Sequence, residues 1–396
     1  MAVFKTRCIP EGLKEGACTM QTTVQPNERL YFLDNLRIYL TILVIFHHAA
    51  LAYGGGGSWY VGRDPMTDEI SPILLSLFNI INQSYFMSAF FLLAGYFTPL
   101  SLERKGVKQF LIDRLIRLAI PILVFSTLII NLNRYILNTL YKGQPFLLRI
   151  DYDPGHLWFL QGLLVFALVY IVYKALSKGR TESVFQIFRE TFPPDKALFI
   201  CIAALIVINF LVRCAFPVGE WTLGIQPAHF VHYIFCFYAG ILAYRGDWFR
   251  RLSKGQARRW GIMSLMVIPL ILVAMVLGGV LKSDANLAKF LGGPYWQALA
   301  YIAWEAFLMV GIIVFLIYFF RERFNQTGPL AKSLAANVYT IYIVHATILF
   351  SLQILLMPVN IPTPLKFLIA GLLAIPICYL VSMLIRKIPY AKRVLG

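Results

Sequence analysis

The sequence predicts an all-α polytopic integral membrane protein with about ten transmembrane helices and both termini in the cytoplasm. Three observations predict it. Hydrophobic residues make up 59% of the 396 residues and charged residues only 14%, whereas soluble domains carry about 45–50% apolar and about 25% charged residues. Apolar runs longer than the roughly 18 residues needed to cross a bilayer recur along the whole chain. The lysines and arginines fall overwhelmingly on one side of those runs.

The expected spans lie at 35–53, 75–99, 116–137, 157–176, 197–215, 228–245, 260–281, 296–320, 333–357 and 364–386. Short connections join them, so residues 30–390 read as a single transmembrane domain. It is preceded by a polar cytoplasmic segment, 1–29, that lacks the apolar core of a signal peptide. When the N-terminus, every even-to-odd connection and the C-terminus are placed on one side, that side holds 27 of the 36 basic residues. The opposite loops hold Arg63, Lys142, Arg149, Arg213, Lys282, Lys289 and Lys366, and Arg37 and Arg134 lie inside spans. Such a bias sets the basic side in the cytoplasm of a cell membrane. It also accounts for the net charge of +17 through topology and contact with anionic membrane lipids, with no nucleic acid partner.

The first span, LRIYLTILVIFHHAALAY, carries Arg37 and His48 eleven residues apart. Eleven steps at about 3.6 residues per turn make close to three turns, so both side chains share one helix stripe, about 16 Å apart along the axis. Ionisable groups are expensive at membrane depth and usually functional there. A neutral imidazole, with an ordinary pKa of about 6.5, accepts a proton near neutrality, so His48 is a candidate general base or transient nucleophile. The competing reading is a core histidine bonded to a neighbouring helix. His47 is rotated about 80–100° off the Arg37 stripe and packs or hydrogen-bonds against a neighbour. Arg37 sits near the cytoplasmic end, with Asp34 three residues earlier as its partner. The glycine run at 54–57 is a linker or a lid; no Lys-Ser/Thr follows, so it is not a phosphate loop.

Further along, Arg114 and Arg117 stand one turn apart at the cytoplasmic mouth of the third span. Two adjacent cations there suit phosphates. His156 and Trp158 open the fourth span on the outer side, beside Asp151 and Asp153. His229 and His232 have a spacing compatible with a metal, but no third ligand follows nearby, so no metal is expected. Glu305 lies in the middle of the eighth span, where an uncompensated acid costs about 2.5 kcal/mol or more. It must therefore face the interior and find a partner, with Arg134 or His48 as candidates. His345 falls near the middle of the ninth span. The six cysteines are scattered and read as unpaired thiols.

Several of these segments resemble one family. The run YFLDNLRIYLTILVIFHHAALAYG is similar to the opening of the membrane acyltransferase 3 family, which places an Arg, ten intervening residues and a His in its first span; here these are Arg37 and His48. Tyr53, five residues beyond the His, also fits. FFLLAGYF at 90–97 resembles a later landmark, with Ala94 where Ser is usual. KQFLIDRLIRLAIP supplies Arg114, Arg117 and Pro121, and HLWFL at 156–160 and VYTIYIVH at 338–345 complete the order. The resemblance covers roughly residues 30–386.

The resemblance implies an O-acyltransferase. Acyl-CoA would be its donor co-substrate, no cofactor would be tightly bound, and the acceptor would be a carbohydrate or glycan hydroxyl at or beyond the outer face. On that reading His48, Arg37 and Glu305 are catalytic, and Arg37, Arg114 and Arg117 meet the CoA phosphates. His156, Trp158, His345 and Tyr53 then meet substrate. The alternative from the residues alone is a transporter or exporter of an anionic or sugar-linked solute, which membrane-embedded Arg and Glu and glycine-rich breaks would equally suit.

Overall fold

In the computed structural model, residues 30–57, 59–61, 68–145, 148, 152–177 and 191–395 are described. The expected segment 1–29 lies outside them, as do Arg63, Arg149 and Asp151. The long elements are α1 (Tyr31–Ala52), α2 (Ser71–Arg114), α3 (115–141), α4 (Trp158–Leu176), α5 (Asp195–Ala215), α6 (Pro227–Gly246), α7 (Lys254–Val267), α8 (Leu270–Leu277), α9 (Trp296–Arg323), α10 (Pro329–Leu356) and α11 (Thr363–Ile385). A short helix, Ala391–Leu395, follows as α12.

Among the described residues, 8 helical runs are long and apolar enough to cross a membrane. The difference from ten has two causes. The spans expected at 75–99 and 116–137 fall in one run of 71 residues, Ser71–Tyr141. A straight helix of that length would reach about 107 Å, several times the roughly 30 Å hydrocarbon core. The run does not stay straight, because Gly106 takes φ 70 and ψ 166, a conformation without a helical hydrogen bond. The span expected at 228–245 is α6, where His229, His232 and the tyrosines make the helix less apolar than the other eight. Proline shapes a further run: α7 and α8 meet at Pro269, which has no N–H to continue the ladder.

The site is positioned by what surrounds α1. It packs against α2, α9, α10 and α11, and α1 and α9 are the most buried of the apolar runs. Gln353 of α10 donates from Nε2 to the Ala52 carbonyl at 2.6 Å, satisfying one of the orphan acceptors at the end of α1. At the other end, Asn35 donates to the carbonyls of Phe324 and Gln326 at 2.7 and 3.0 Å, tying the start of α1 to the turn between α9 and α10.

Among the described residues, α2 and α6 cross in close contact. A Cβ added at Gly95 would lie 2.0 Å from the Phe237 carbonyl oxygen, and one at Gly240 would lie 2.1 Å from the Leu92 oxygen. Two glycines thus let two backbones touch, the usual device where lipid removes the hydrophobic drive between helices. Gly95 belongs to the FFLLAGYF landmark, so part of that landmark is a packing requirement.

Candidate active site

Three imidazoles from three elements converge beside α1. His48 comes from α1, His345 from α10 and His156 from the turn that opens α4. The ring centroids of His48 and His345 are 4.8 Å apart, those of His156 and His345 4.8 Å, and those of His48 and His156 6.4 Å. His156 reaches the cluster because Pro154 and Gly155, the latter at φ 49, turn the chain into a short 3₁₀ segment. Phe125 then meets the His156 ring edge-on at 4.7 Å.

Backbone carbonyls fix the tautomers, because a carbonyl only accepts. His48 Nδ1 lies 2.9 Å from the Val44 oxygen and therefore carries a hydrogen. His345 Nδ1 likewise donates to the Tyr342 oxygen, which leaves His345 Nε2 as a lone pair. That lone pair stands 3.1 Å from His48 Nδ1 and shares its hydrogen. His156 donates from Nε2 to the Ile343 oxygen at 3.0 Å. The consequence for His48 is specific. Its Nε2 is the ring nitrogen left with a lone pair, while its other edge is held from α10.

Exposure separates the two adjacent histidines of α1. His47 is buried and packs on Phe86 with centroids 4.8 Å apart. His48 is half-buried, whereas His156 and His345 are buried. Trp59 lies 5.5 Å from the His48 ring. It comes from the segment after the glycine run, which is anchored by Gly55 N–H on the Ala50 oxygen and Gly56 N–H on Ser76 Oγ, both at 2.8 Å. Sequence reasoning read this segment as a lid or linker and missed Trp59, since nothing in one dimension folds it back over α1.

The arginines gather at the opposite end of the stripe. Arg37 Nη1 is 3.4 Å from Asp34 Oδ1, and its guanidinium stacks over Phe97 of the FFLLAGYF segment at 4.3 Å. Arg114 covers Phe110 at 4.8 Å and lies within the electrostatic reach of Arg117, Asp113, Tyr339 and Arg37. Pro121 has no N–H to give the Arg117 carbonyl four residues back. The Tyr339 hydroxyl of α10 donates to that carbonyl instead. The Arg-rich turn is therefore fixed to the helix that carries His345.

Glu305 goes elsewhere. It pairs with Arg213 of α5 and His229 of α6 in a buried cluster, rather than with Arg134 or His48. Arg134 faces Asp153 at 3.9 Å. Arg213, expected in an outer loop, is fully buried and also donates to the Ala228 oxygen at 3.2 Å. An arginine in the last turn of a span reads as an interfacial flank, and only the packing of α5 on α9 turns it inward. Among the described residues, no group of three or more His, Cys, Asp or Glu is placed to hold a metal ion. Trp158 stacks on Tyr233 at 5.4 Å, and Tyr53 is fully buried in the apolar cluster of Leu349 and Ala374.

A family model matches most of this chain, and curated relatives match about half of it. The family described as Acyltransferase domain matches residues 30–383. Glucans biosynthesis protein C of Escherichia coli O157:H7 is 27% identical over 235 residues, covering 55% of this chain and 59% of its own length. The protein of the same name from Salmonella schwarzengrund is 31% identical over 223 residues, 55% of this chain and 53% of its own. That from Escherichia coli K12 is 31% identical over 170 residues, 40% and 42%. The chain spans about half the length of the curated relatives it matches. No solved structure matches it.

Proposed function

The chain belongs to the acyltransferase family whose match runs from residue 30 to residue 383, and on that premise we propose that it is a multi-pass O-acyltransferase of the cell membrane. It moves an acetyl- or succinyl-type group from cytoplasmic acyl-CoA to a hydroxyl of a carbohydrate or glycan at or beyond the outer face, with both of its own termini cytoplasmic. The observation that carries this reading is the half-buried His48, whose Nδ1 is held by Val44 and His345 while Nε2 keeps its lone pair.

The chemistry runs through that lone pair. His48 Nε2 takes the proton of the acceptor hydroxyl as its oxygen attacks the thioester carbonyl. The carbon–sulfur bond breaks, and the thiolate of CoA leaves and recovers the proton from the imidazolium. A fixed base of this kind contributes about 10²–10⁴-fold in rate. In the covalent route the same lone pair attacks the thioester carbonyl first, and the carbon–sulfur bond breaks to release CoA thiolate. The N-acyl-imidazolium then passes the acyl group to the acceptor hydroxyl, whose proton goes to the thiolate. His345 shares the Nδ1 hydrogen and stabilises the positive ring that forms in either route. Arg37, about three turns from His48 along α1, and the neighbouring Arg114 and Arg117 supply charge-assisted donors for the donor's phosphates. Glu305, bound to Arg213, acts on this site only as a positioning residue through α9.

Purified protein in liposomes tests the reading. With radiolabelled acyl-CoA and an envelope glycan extract, label is expected to move to the glycan only when the CoA donor is present. Movement of an unmodified solute without any dependence on CoA contradicts it and marks a transporter. Incubation with acyl-CoA alone separates the two routes: an added acyl mass on a peptide containing His48 marks the covalent one.

A further inference from the structure

The end of the chain closes a basic cavity that the His and Arg stripe does not use. Its volume is about 540 Å³, within the range of roughly 300–1,000 Å³ that holds small ligands, and its lining includes Asn337, Arg386, Lys387, Pro389, Tyr390 and Lys392. Its wall exists because Tyr390 takes φ 65, a left-handed turn that reverses the chain after α11. The reversal lays α12 against residues 115–119, which carry Arg117, and Thr340 Oγ1 donates to the Leu395 oxygen at 3.2 Å. The floor is held by α10, where Asn337 accepts from Ser382 Oγ at 3.2 Å and the Arg386 guanidinium donates to the Ala336 carbonyl.

The lining contributes Arg386, Lys387 and Lys392 and no acid. Among the described residues, none of these three has a carboxylate within ion-pair distance. Lys387 and Lys392 are exposed at the mouth, and the Tyr390 ring, 84% exposed, stands between them in sequence. Three unpaired cations around an open cavity call for a ligand with more than one negative charge, and an aromatic rim suits a planar base.

We propose that this cavity binds the phosphate-bearing nucleotide end of acyl-CoA. The inference rests on the acyl-CoA reading above and adds to it a place for the adenosine. α12 joins the cavity to the Arg117 turn, and Arg114 and Arg117 continue the positive lining toward Arg37. The nucleotide end with its 3′-phosphate thus lies furthest from His48, the diphosphate falls to the arginines, and the pantetheine arm runs on from them toward His48. An anionic lipid headgroup offers the same phosphate chemistry, but it does not need an open cavity walled on one side by a chain reversal.

The test uses the whole chain in phosphatidylcholine nanodiscs and the variant Lys387→Gln/Lys392→Gln, which changes only exposed side chains. Adenosine 3′,5′-bisphosphate is titrated by calorimetry, and KM for acyl-CoA is measured beside it. The variant is expected to weaken bisphosphate binding and raise KM by at least about tenfold, as for lost charge-assisted contacts. Dephospho-CoA should respond less than CoA. Unchanged bisphosphate affinity overturns the proposal, as does a variant effect seen only with phosphatidylglycerol, which marks a headgroup site. If the wild type transfers acyl groups and the variant keeps its KM, the cavity fails while the enzyme stands. If bisphosphate binds through the two lysines but no acyl group is ever transferred, the cavity stands and the acyltransferase reading fails.

Discussion

His48 and His47 are neighbours in sequence with different surroundings, and the difference is set by single contacts. His48 keeps a free ring nitrogen because Val44 and His345 occupy the other one, and it keeps exposed surface; His47 lies buried against Phe86. His345→Phe fills the same space without sharing the Nδ1 hydrogen. It is expected to lower kcat by about tenfold or more while KM for acyl-CoA holds, the pattern of an interaction made in the transition state. Equal loss in KM alone would remove His345 from the mechanism. The Arg213–Glu305 pair makes a different prediction. Glu305→Gln strands a buried arginine and is expected to cost about 3–5 kcal/mol of stability, whereas Arg213→Met/Glu305→Met together cost far less than the sum of the single changes. Thermal unfolding in detergent reads both. Arg37 and His48 were legible in the sequence because helical arithmetic along one segment needs no tertiary information. Arg213 was not, since whether an arginine at a helix end points to water or to a carboxylate 92 residues away depends on packing.

Between helices, the account turns on two close contacts. Gly95→Leu or Gly240→Leu drives a side chain into a facing backbone, and overpacking of this kind costs about 1–3 kcal/mol or more. Loss of folded protein, read by size-exclusion chromatography in detergent, is the expected outcome; wild-type behaviour would show that α2 and α6 do not touch as described. Tyr339→Phe removes the donor to the Arg117 carbonyl. It is expected to raise KM for acyl-CoA with little change in kcat, because it loosens the arginine turn and leaves His48 untouched. The landmark segments could be picked out in the sequence, but their reasons could not. FFLLAGYF contributes Gly95 to a helix crossing and Phe97 to the Arg37 guanidinium, and Pro121 explains why Tyr339 is needed four residues behind it. Periodicity marks where helices are. It does not say which pairs meet.

For the whole molecule, hydropathy alone located nearly every long helix, because a bilayer demands internally bonded apolar segments. It did not locate the breaks: Gly106 divides a helical run of 71 residues, and Trp59 folds back on His48. The proposed sidedness rests on the distribution of basic residues and is open to a direct check. Cysteines placed at Lys105 and at Gly219, in a background where the native cysteines are replaced, should differ in labelling of intact cells by a membrane-impermeant maleimide, with position 219 labelled and 105 protected. Labelling of both or the reverse would overturn the topology, and with it the direction from the arginines to His48. The central claim is that one imidazole, held by its neighbours with Nε2 free, transfers the acyl group. It is tested most directly by mass spectrometry of envelope glycans from cells expressing the wild type or His48→Ala at equal membrane levels. The account predicts that the acyl mass on the glycan falls by at least about 10²-fold with His48→Ala and persists with His47→Ala. Wild-type acylation in the His48→Ala cells would contradict it.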